Sequence, residues 1–238
     1  MDLSAPQPLI SGRFGRWPVT RLAGISGLLM VAAIIVNGPL AAVIERYPSF
    51  WTSSAGADFE RFLRDSQRVD RAVVFFALSN LIFIFAIPFF AGLRVLVTRA
   101  DASGFLRAIV GIAVPLFLAG GLASEVFSHG LAVVVESVPG YEVSVNSVLM
   151  VQGLQYVALV QGQVALGVAV IALSVGGLSS GVLPKWTWWL GAAAGMINLV
   201  RPFAVTSPPI LIATFVPTFI WIAAISIALI RRPSTPAT

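Results

Sequence analysis

Apolar runs of about twenty residues recur along the chain, and they constrain the fold more than any other feature. A helix rises roughly 1.5 Å per residue, so about twenty apolar residues cross the hydrocarbon core of a bilayer. The runs do not alternate apolar and polar residues, which argues against an outer-membrane barrel. The predicted fold class is all-α, an integral membrane bundle of six transmembrane helices. The predicted spans are about 22–44, 71–93, 105–127, 148–175, 186–200 and 210–230.

The low content of charged residues supports the same class. Hydrophobic residues make up 58% of the 238 residues and charged residues only 11%, whereas a soluble domain carries about 25%. With so little charge the chain cannot cover a water-facing surface, so much of its exterior must face lipid. The absence of cysteine excludes disulfides, thiolate nucleophiles and CxxC redox pairs.

Basic residues flank the apolar runs and predict the topology. The basic arm over 1–20, alternate loops and the two arginines before the tail over 233–238 account for nine basic residues on one side of the membrane, with six on the other. Because basic residues are retained in the cytoplasm, we expect a cell-membrane protein with both termini cytoplasmic. The net charge of +5 is explained by this flanking, and no nucleic-acid partner is expected.

The first outer loop contains the longest polar stretch. Within it Phe59, Phe62 and Leu63 fall at i, i+3 and i+4, which predicts a short amphipathic helix over 57–68. This helix either lies on the membrane surface or covers the mouth of the bundle. The alternative is a solvated loop helix with no role.

A carboxylate and the only histidine lie together near the end of the third span. Glu125 and His129 are spaced i, i+4, so their side chains share a helix face. They are the candidate catalytic residues, because such a pair can hold the proton needed for acid/base work. A hydrogen-bonded structural pair and a ligand anchor are the alternatives. One histidine and one or two glutamates are too few ligands for zinc, so no metal is expected.

Further polar residues are predicted at the outer ends of other spans, with Asn80 as the deepest of them. Polar groups in hydrocarbon are unfavourable and point to function, so an outward-opening polar cavity is predicted. Interhelical hydrogen bonding by the glutamines and snorkelling of the arginine are the alternatives. The candidate ligand-binding residues are Asn37, Asn80, Gln152, Gln155, Asn198 and Arg201.

Two glycines in the fifth span, Gly191 and Gly195, form a GxxxG pattern. Such a pattern lets helices approach closely. It predicts either packing within the bundle or a homo-oligomer.

The overall layout resembles a bacterial membrane-protein family that is catalogued as a domain of unknown function. The resemblance rests on the basic arm, six spans, the long first outer loop and the turn Ser180–Trp186 before a Gly/Ala-rich fifth span. It implies the six-span fold and no catalytic residues.

Three classes of function follow. The first is a protein whose outer cavity binds a membrane lipid or a small amphiphilic molecule. The second is an intramembrane acid/base enzyme, an isomerase, cyclase or hydratase, that uses Glu125 and His129 on an apolar substrate. The third is a small transporter. No cofactor is expected, because the only lysine, Lys185, lies in a loop and one histidine cannot ligate a haem from both sides.

Overall fold

The computed structural model describes residues 19–40, 54, 57–58, 61–62, 65, 68–98, 101, 103–138, 144–204 and 208–232. In these ranges the chain is all-α, as predicted, and contains no strand. A 3₁₀ helix, Arg201–Ala204, separates the last two α-helices. The α-helices are α1 (Val19–Leu40), α2 (Arg68–Thr98), α3 (Phe105–Ser137), α4 (Val145–Ser180), α5 (Lys185–Val200) and α6 (Pro208–Arg231).

Five of these helices are long and apolar enough to cross a membrane, namely all except α5. The chain is therefore a multi-pass helical membrane protein. Helix α5 has 16 residues, which at roughly 1.5 Å per residue gives about 24 Å. The 3₁₀ helix that follows adds about 8 Å. The sixth span stays a prediction.

Contacts at glycine positions show that the helices alternate in direction. A Cβ on Gly24, near the start of α1, would lie 2.7 Å from the Ser226 carbonyl oxygen near the end of α6. A Cβ on Gly176, near the end of α4, would lie 2.1 Å from Val97 at the end of α2 and 3.3 Å from Leu106 at the start of α3. The two ends of the bundle are called the basic end, where α1 starts and α6 ends, and the polar end opposite.

Neighbouring helices pack in a ring. Helix α1 packs against α2 and α6, α3 against α2 and α4, and α5 against α4 and α6, while α2 also contacts α4. Large side chains fill the centre with no exposed surface or almost none: Phe89, Phe90, Leu173, Trp188 and Trp221. By contrast, large apolar side chains are exposed on the outer faces of the helices, as expected for a surface in contact with lipid; examples are Ile35, Ile84, Ile112, Leu116 and Met150.

Side chains and glycines define several helix ends. Ser144 caps α4, because its hydroxyl accepts a 3.1 Å hydrogen bond from the Ser147 N–H. At the other end of α4, Gly181 has φ +61°, a left-handed conformation that favours glycine and ends the helix. The Asp101 carboxylate accepts a 3.0 Å hydrogen bond from the Arg107 N–H in the first turn of α3.

Two predicted features fall wholly or mostly outside the described residues. Of the amphipathic helix predicted over 57–68, residues 57–58 and 61–62 are helical, and most of the rest is not described. The arm over 1–20 is described only at 19–20, which belong to α1, and the tail over 233–238 is not described.

Candidate functional site

Arg201 is fully buried at the polar end of the bundle, immediately after α5. Its exposed fraction is 0%, and its three guanidinium nitrogens find no hydrogen-bond acceptor among the described residues. The guanidinium carbon lies 3.9 Å from the centre of the Phe215 ring, over its face. Because arginine stays protonated in proteins, a positive charge lies inside the bundle with an aromatic ring as its closest described partner.

Polar side chains of three helices surround this charge. Asn198, one turn before Arg201, donates 2.9 Å to the Ala194 carbonyl and 2.7 Å to Thr218 Oγ1. Tyr156 of α4 interacts electrostatically with Arg201. The arginine cluster comprises Tyr156, Asn198, Arg201, Phe215 and Thr218, of which all but Phe215 are buried. Gln152, one turn before Tyr156 on α4, is buried too.

The local sequence explains why Arg201 lies there. Pro202 cannot continue α5 because it lacks an N–H donor, and Pro208 begins α6, where no donor is needed. Glycines bring α5 close to α4: a Cβ on Gly195 would lie 2.9 Å from the Gly167 carbonyl oxygen. This approach leaves Asn198 and Arg201 facing α4 and α6 rather than lipid.

The charge of Arg201 is not balanced within the helices that enclose it. All ten acidic residues of the chain lie at or before Glu142, whereas Lys185, Arg201, Arg231 and Arg232 follow it. The 3₁₀ helix of Arg201 packs against α4, α5 and α6, and these three helices contain neither Asp nor Glu. An anion that neutralises Arg201 is therefore not supplied by them.

The Glu125–His129 pair lies elsewhere, between α3 and α2. His129 Nδ1 is 3.0 Å from the Glu125 carbonyl oxygen and 3.5 Å from its carboxylate. The imidazole is 5% exposed and packs against Phe75 and Phe76, with ring centres 5.8 and 5.3 Å away. If the neutral ring donates through Nδ1 to the carbonyl, Nε2 is the basic nitrogen. The pair is thus arranged to accept a proton.

The other predicted residues lie at further interfaces of the polar end. Asn37 donates 2.9 Å to Ser79 Oγ and so joins α1 to α2. Asn80 donates 2.7 Å to the Phe76 carbonyl of its own helix. Gln155 is half-buried on α4. The described contacts therefore place Asn37 at the interface of α1 and α2 and tie the Asn80 amide to its own helix.

Two of the grooves on the described surface are well defined, and none of the predicted site residues lines either of these two. One groove, of about 500 Å³, runs between α3 and α4 past Ile109, Leu116 and Gln161. The other, of about 570 Å³, lies at the basic end between the α4–α5 turn and α6. The predicted outward-opening cavity stays a prediction.

Gly191 and Gly195 face the inside of the chain's own bundle. A Cβ on Gly191 would lie 2.4 Å from both Ser174 Oγ and Trp221 Nε1. A Cβ on Gly195 would lie 2.7 Å from Ile171. These contacts support the first interpretation of the GxxxG pattern, packing within the bundle, while a homo-oligomer stays a prediction.

Sequence reasoning missed several members of the arginine cluster. Tyr156 follows Gln152 by four residues, a spacing that places both on one face of α4, and this signal was present. Thr218 and Phe215 gave no signal, because a threonine or phenylalanine in an apolar span is ordinary. Among the described residues no group of three His, Asp or Glu side chains lies close enough together to bind a metal ion.

No family model, no curated protein and no solved structure matches this chain. The resemblance to a bacterial family of unknown function accordingly stays a prediction.

Proposed function

We propose that this membrane protein binds an amphiphile with an anionic head group, and that Arg201 is the residue that anchors the anion. The observation that carries the proposal is the fully buried guanidinium without a hydrogen-bond acceptor among the described residues. An uncompensated buried charge costs several kcal/mol. A bound anion would supply the missing acceptors and offset this cost.

The chemistry of the arginine cluster suits a phosphate or a carboxylate. The guanidinium offers a planar fork of N–H donors that matches two oxygens of such a group. Phe215 stacks against the guanidinium, which leaves the N–H groups at its edge for the ligand. The Tyr156 side chain lies within electrostatic range of Arg201 and is a further candidate donor.

An amphiphile fits better than a free small anion, because of the surroundings. Arg201 lies among helices whose outer faces expose large apolar side chains, such as Met150 and Val157 of α4. A ligand with a hydrocarbon tail can lie against such faces while its head reaches the guanidinium. Since no surface of Arg201 is exposed, neighbouring side chains must move first, and binding is expected to be slow.

The test compares two twelve-carbon probes on purified protein in a neutral detergent. Dodecyl phosphate should raise the midpoint of thermal unfolding, because a ligand that binds only the folded state stabilises it. Zwitterionic dodecylphosphocholine should raise the midpoint less. The Arg201→Gln variant should reduce the difference between the probes, and Arg201→Lys should reduce it less.

The matched control is the double variant Arg231→Gln/Arg232→Gln, which removes positive charge from the exposed end of α6. It should retain the Arg201-dependent preference for dodecyl phosphate. If Arg201→Gln keeps the full preference, the guanidinium does not bind the anion and the proposal is wrong.

A second candidate function is an intramembrane acid/base enzyme, and the Glu125–His129 geometry favours it. The 3.5 Å separation of Nδ1 and the carboxylate, in a buried aromatic setting, places a proton donor beside an acceptor. Lipid extracts of membranes that contain the wild-type protein should then show a product that is absent with Glu125→Gln and with His129→Asn. Identical extracts from all three proteins would exclude this function.

A further inference from the structure

The groove at the basic end combines an apolar floor with a basic rim. Its floor includes Ala224 and Ala228 of α6, which are four residues apart and share a helix face. The α4–α5 turn forms the opposite wall, where the Trp186 side chain is 58% exposed. Small alanines beside a large exposed tryptophan produce a slot of about 570 Å³.

Two adjacent arginines, Arg231 and Arg232, close the groove at the end of α6. The neighbouring Lys185 is exposed as well. No acidic residue follows Glu142 in the chain, so α4, α5 and α6 offer these cations no partner. Asp101, a described acid at this end, already binds Ser103 Oγ and the Arg107 N–H.

The arrangement matches the profile of a phospholipid at the membrane interface. Tryptophan and arginine are favoured at the level of the head groups, and basic sites between helices bind anionic head groups. An acyl chain can lie along Ala224 and Ala228 while the phosphate meets the arginines. Arg231 also offsets the partial negative charge of the α6 C-terminus, but that role needs neither the groove nor a second arginine.

We propose that this groove binds one anionic phospholipid of the leaflet at the basic end, with Arg231 and Arg232 on its head group and Trp186 against its acyl chain. The site is separate from the arginine cluster, which lies at the opposite end of the bundle. It would therefore operate whether or not Arg201 binds a ligand.

The test is native mass spectrometry of the purified full chain with phosphatidylglycerol or phosphatidylethanolamine of equal acyl chains. Each basic residue near a head group strengthens binding of an anionic lipid about fivefold, so the wild-type protein should retain phosphatidylglycerol at least tenfold more. Arg231→Gln/Arg232→Gln should reduce that preference about tenfold or more. Trp186→Ala should weaken the binding of both lipids.

The matched control is Arg94→Gln/Arg107→Gln, which removes the same charge at the basic end from α2 and α3. This control should keep the preference for phosphatidylglycerol. An equal loss in the control would show that general charge attraction, not the groove, selects the lipid. An unchanged preference in Arg231→Gln/Arg232→Gln would overturn the proposal directly. Arg201→Gln should leave the part of the preference that depends on Arg231 and Arg232 intact, which separates this site from the proposed function.

Discussion

For Arg201, the cost of burying an unpaired charge opposes the gain from its cation–π contact. The sizes of these two energies predict how removal of the guanidinium changes stability. A buried charge without a partner costs several kcal/mol, whereas the cation–π contact with Phe215 contributes about 2 kcal/mol. Arg201→Met keeps the apolar volume and removes the charge. Without ligand, the variant should therefore unfold with a free energy about 1 to 3 kcal/mol higher than the wild type. Unfolding by denaturant in the same neutral detergent measures the difference.

Arg231→Met is the control for that experiment, because Arg231 is exposed. Its effect should stay within about 0.5 kcal/mol. If Arg201→Met instead destabilises the protein by about 2 kcal/mol or more, the guanidinium has an acceptor within the chain. The site would then be a structural ion pair rather than a binding site.

Arg201 also shows which part of the candidate site could be predicted from the sequence. Its position at the end of a span predicted Arg201 to be either a snorkelling residue or a ligand-binding residue. Only the fold distinguishes them, because Phe215 covers the guanidinium from 14 residues further along the chain. Asn80 was predicted to face a cavity, and this stays a prediction. Its amide donates a hydrogen bond to the Phe76 carbonyl of its own helix.

At the scale of the helices, α4 and α5 are held together by a close contact between glycine and tryptophan. A Cβ on Gly177 would lie 2.2 Å from the Trp188 ring. Because Trp188 is fully buried, its ring has no space into which it could move to relieve the clash. Gly177→Ala should lower the free energy of unfolding by about 1 to 3 kcal/mol. Gly153→Ala on the same helix is the control, because its Cβ would meet nothing within 4 Å.

Since alanine favours helix over glycine, Gly153→Ala should raise stability by up to about 1 kcal/mol. Equal effects of the two substitutions, measured by denaturant unfolding, would show that Gly177 is not a packing contact. The GxxxG pattern in the fifth span predicted close packing of that helix within the bundle, without naming its partner helix. The partner ring could not be named from the sequence, because the pairing of Gly177 with Trp188 depends on the turn between them.

The start of α3 depends on an ionised side chain. Hydrogen bonds from the Arg107 N–H and the Ser103 hydroxyl hold the pKa of Asp101 below its ordinary value of 3.8. A lowered pKa in the folded state contributes stability above the ordinary value, and this is lost as the pH falls through the lowered pKa. Asp101→Asn should therefore be less stable than the wild type at neutral pH. The difference in stability between the two proteins should narrow as the pH falls below 3.8 and through the lowered pKa, as thermal unfolding at several pH values would show. A gap that does not change with pH would contradict the role of the charge.

Three described helices, α2, α3 and α4, extend beyond both ends or one end of the spans predicted for them. The third span was placed at 105–127, and α3 continues to Ser137. Gly130 and the valines at 133–135 lie within this continuation, although glycine and β-branched residues weaken a helix in water. The all-α class was confirmed, and five of the six described α-helices are apolar and long enough to be spans.

At the scale of the whole molecule, the number of membrane spans depends on whether α5 crosses the membrane. By length and composition it is the one described helix that does not qualify as a span, yet with the 3₁₀ helix it runs from the basic end to the polar end. Together they reach about 32 Å, close to the thickness of the hydrocarbon core, about 30 Å. Lys185 and Phe203 are exposed at the two ends of this segment. Labelling at these two positions tests whether the segment crosses the membrane.

The chain has no cysteine, so single cysteines can report sidedness without further changes. In right-side-out and inside-out vesicles, a membrane-impermeant maleimide should label Lys185→Cys only from the cytoplasmic side and Phe203→Cys only from the outer side. Ser179→Cys and Ser137→Cys are the controls for the basic end and the polar end, since α4 and α3 qualify as spans. Labelling of Lys185→Cys and Phe203→Cys from the same side would reduce the spans to five. It would place Arg201 and the basic groove on one side of the membrane, where one lipid leaflet would have to serve both.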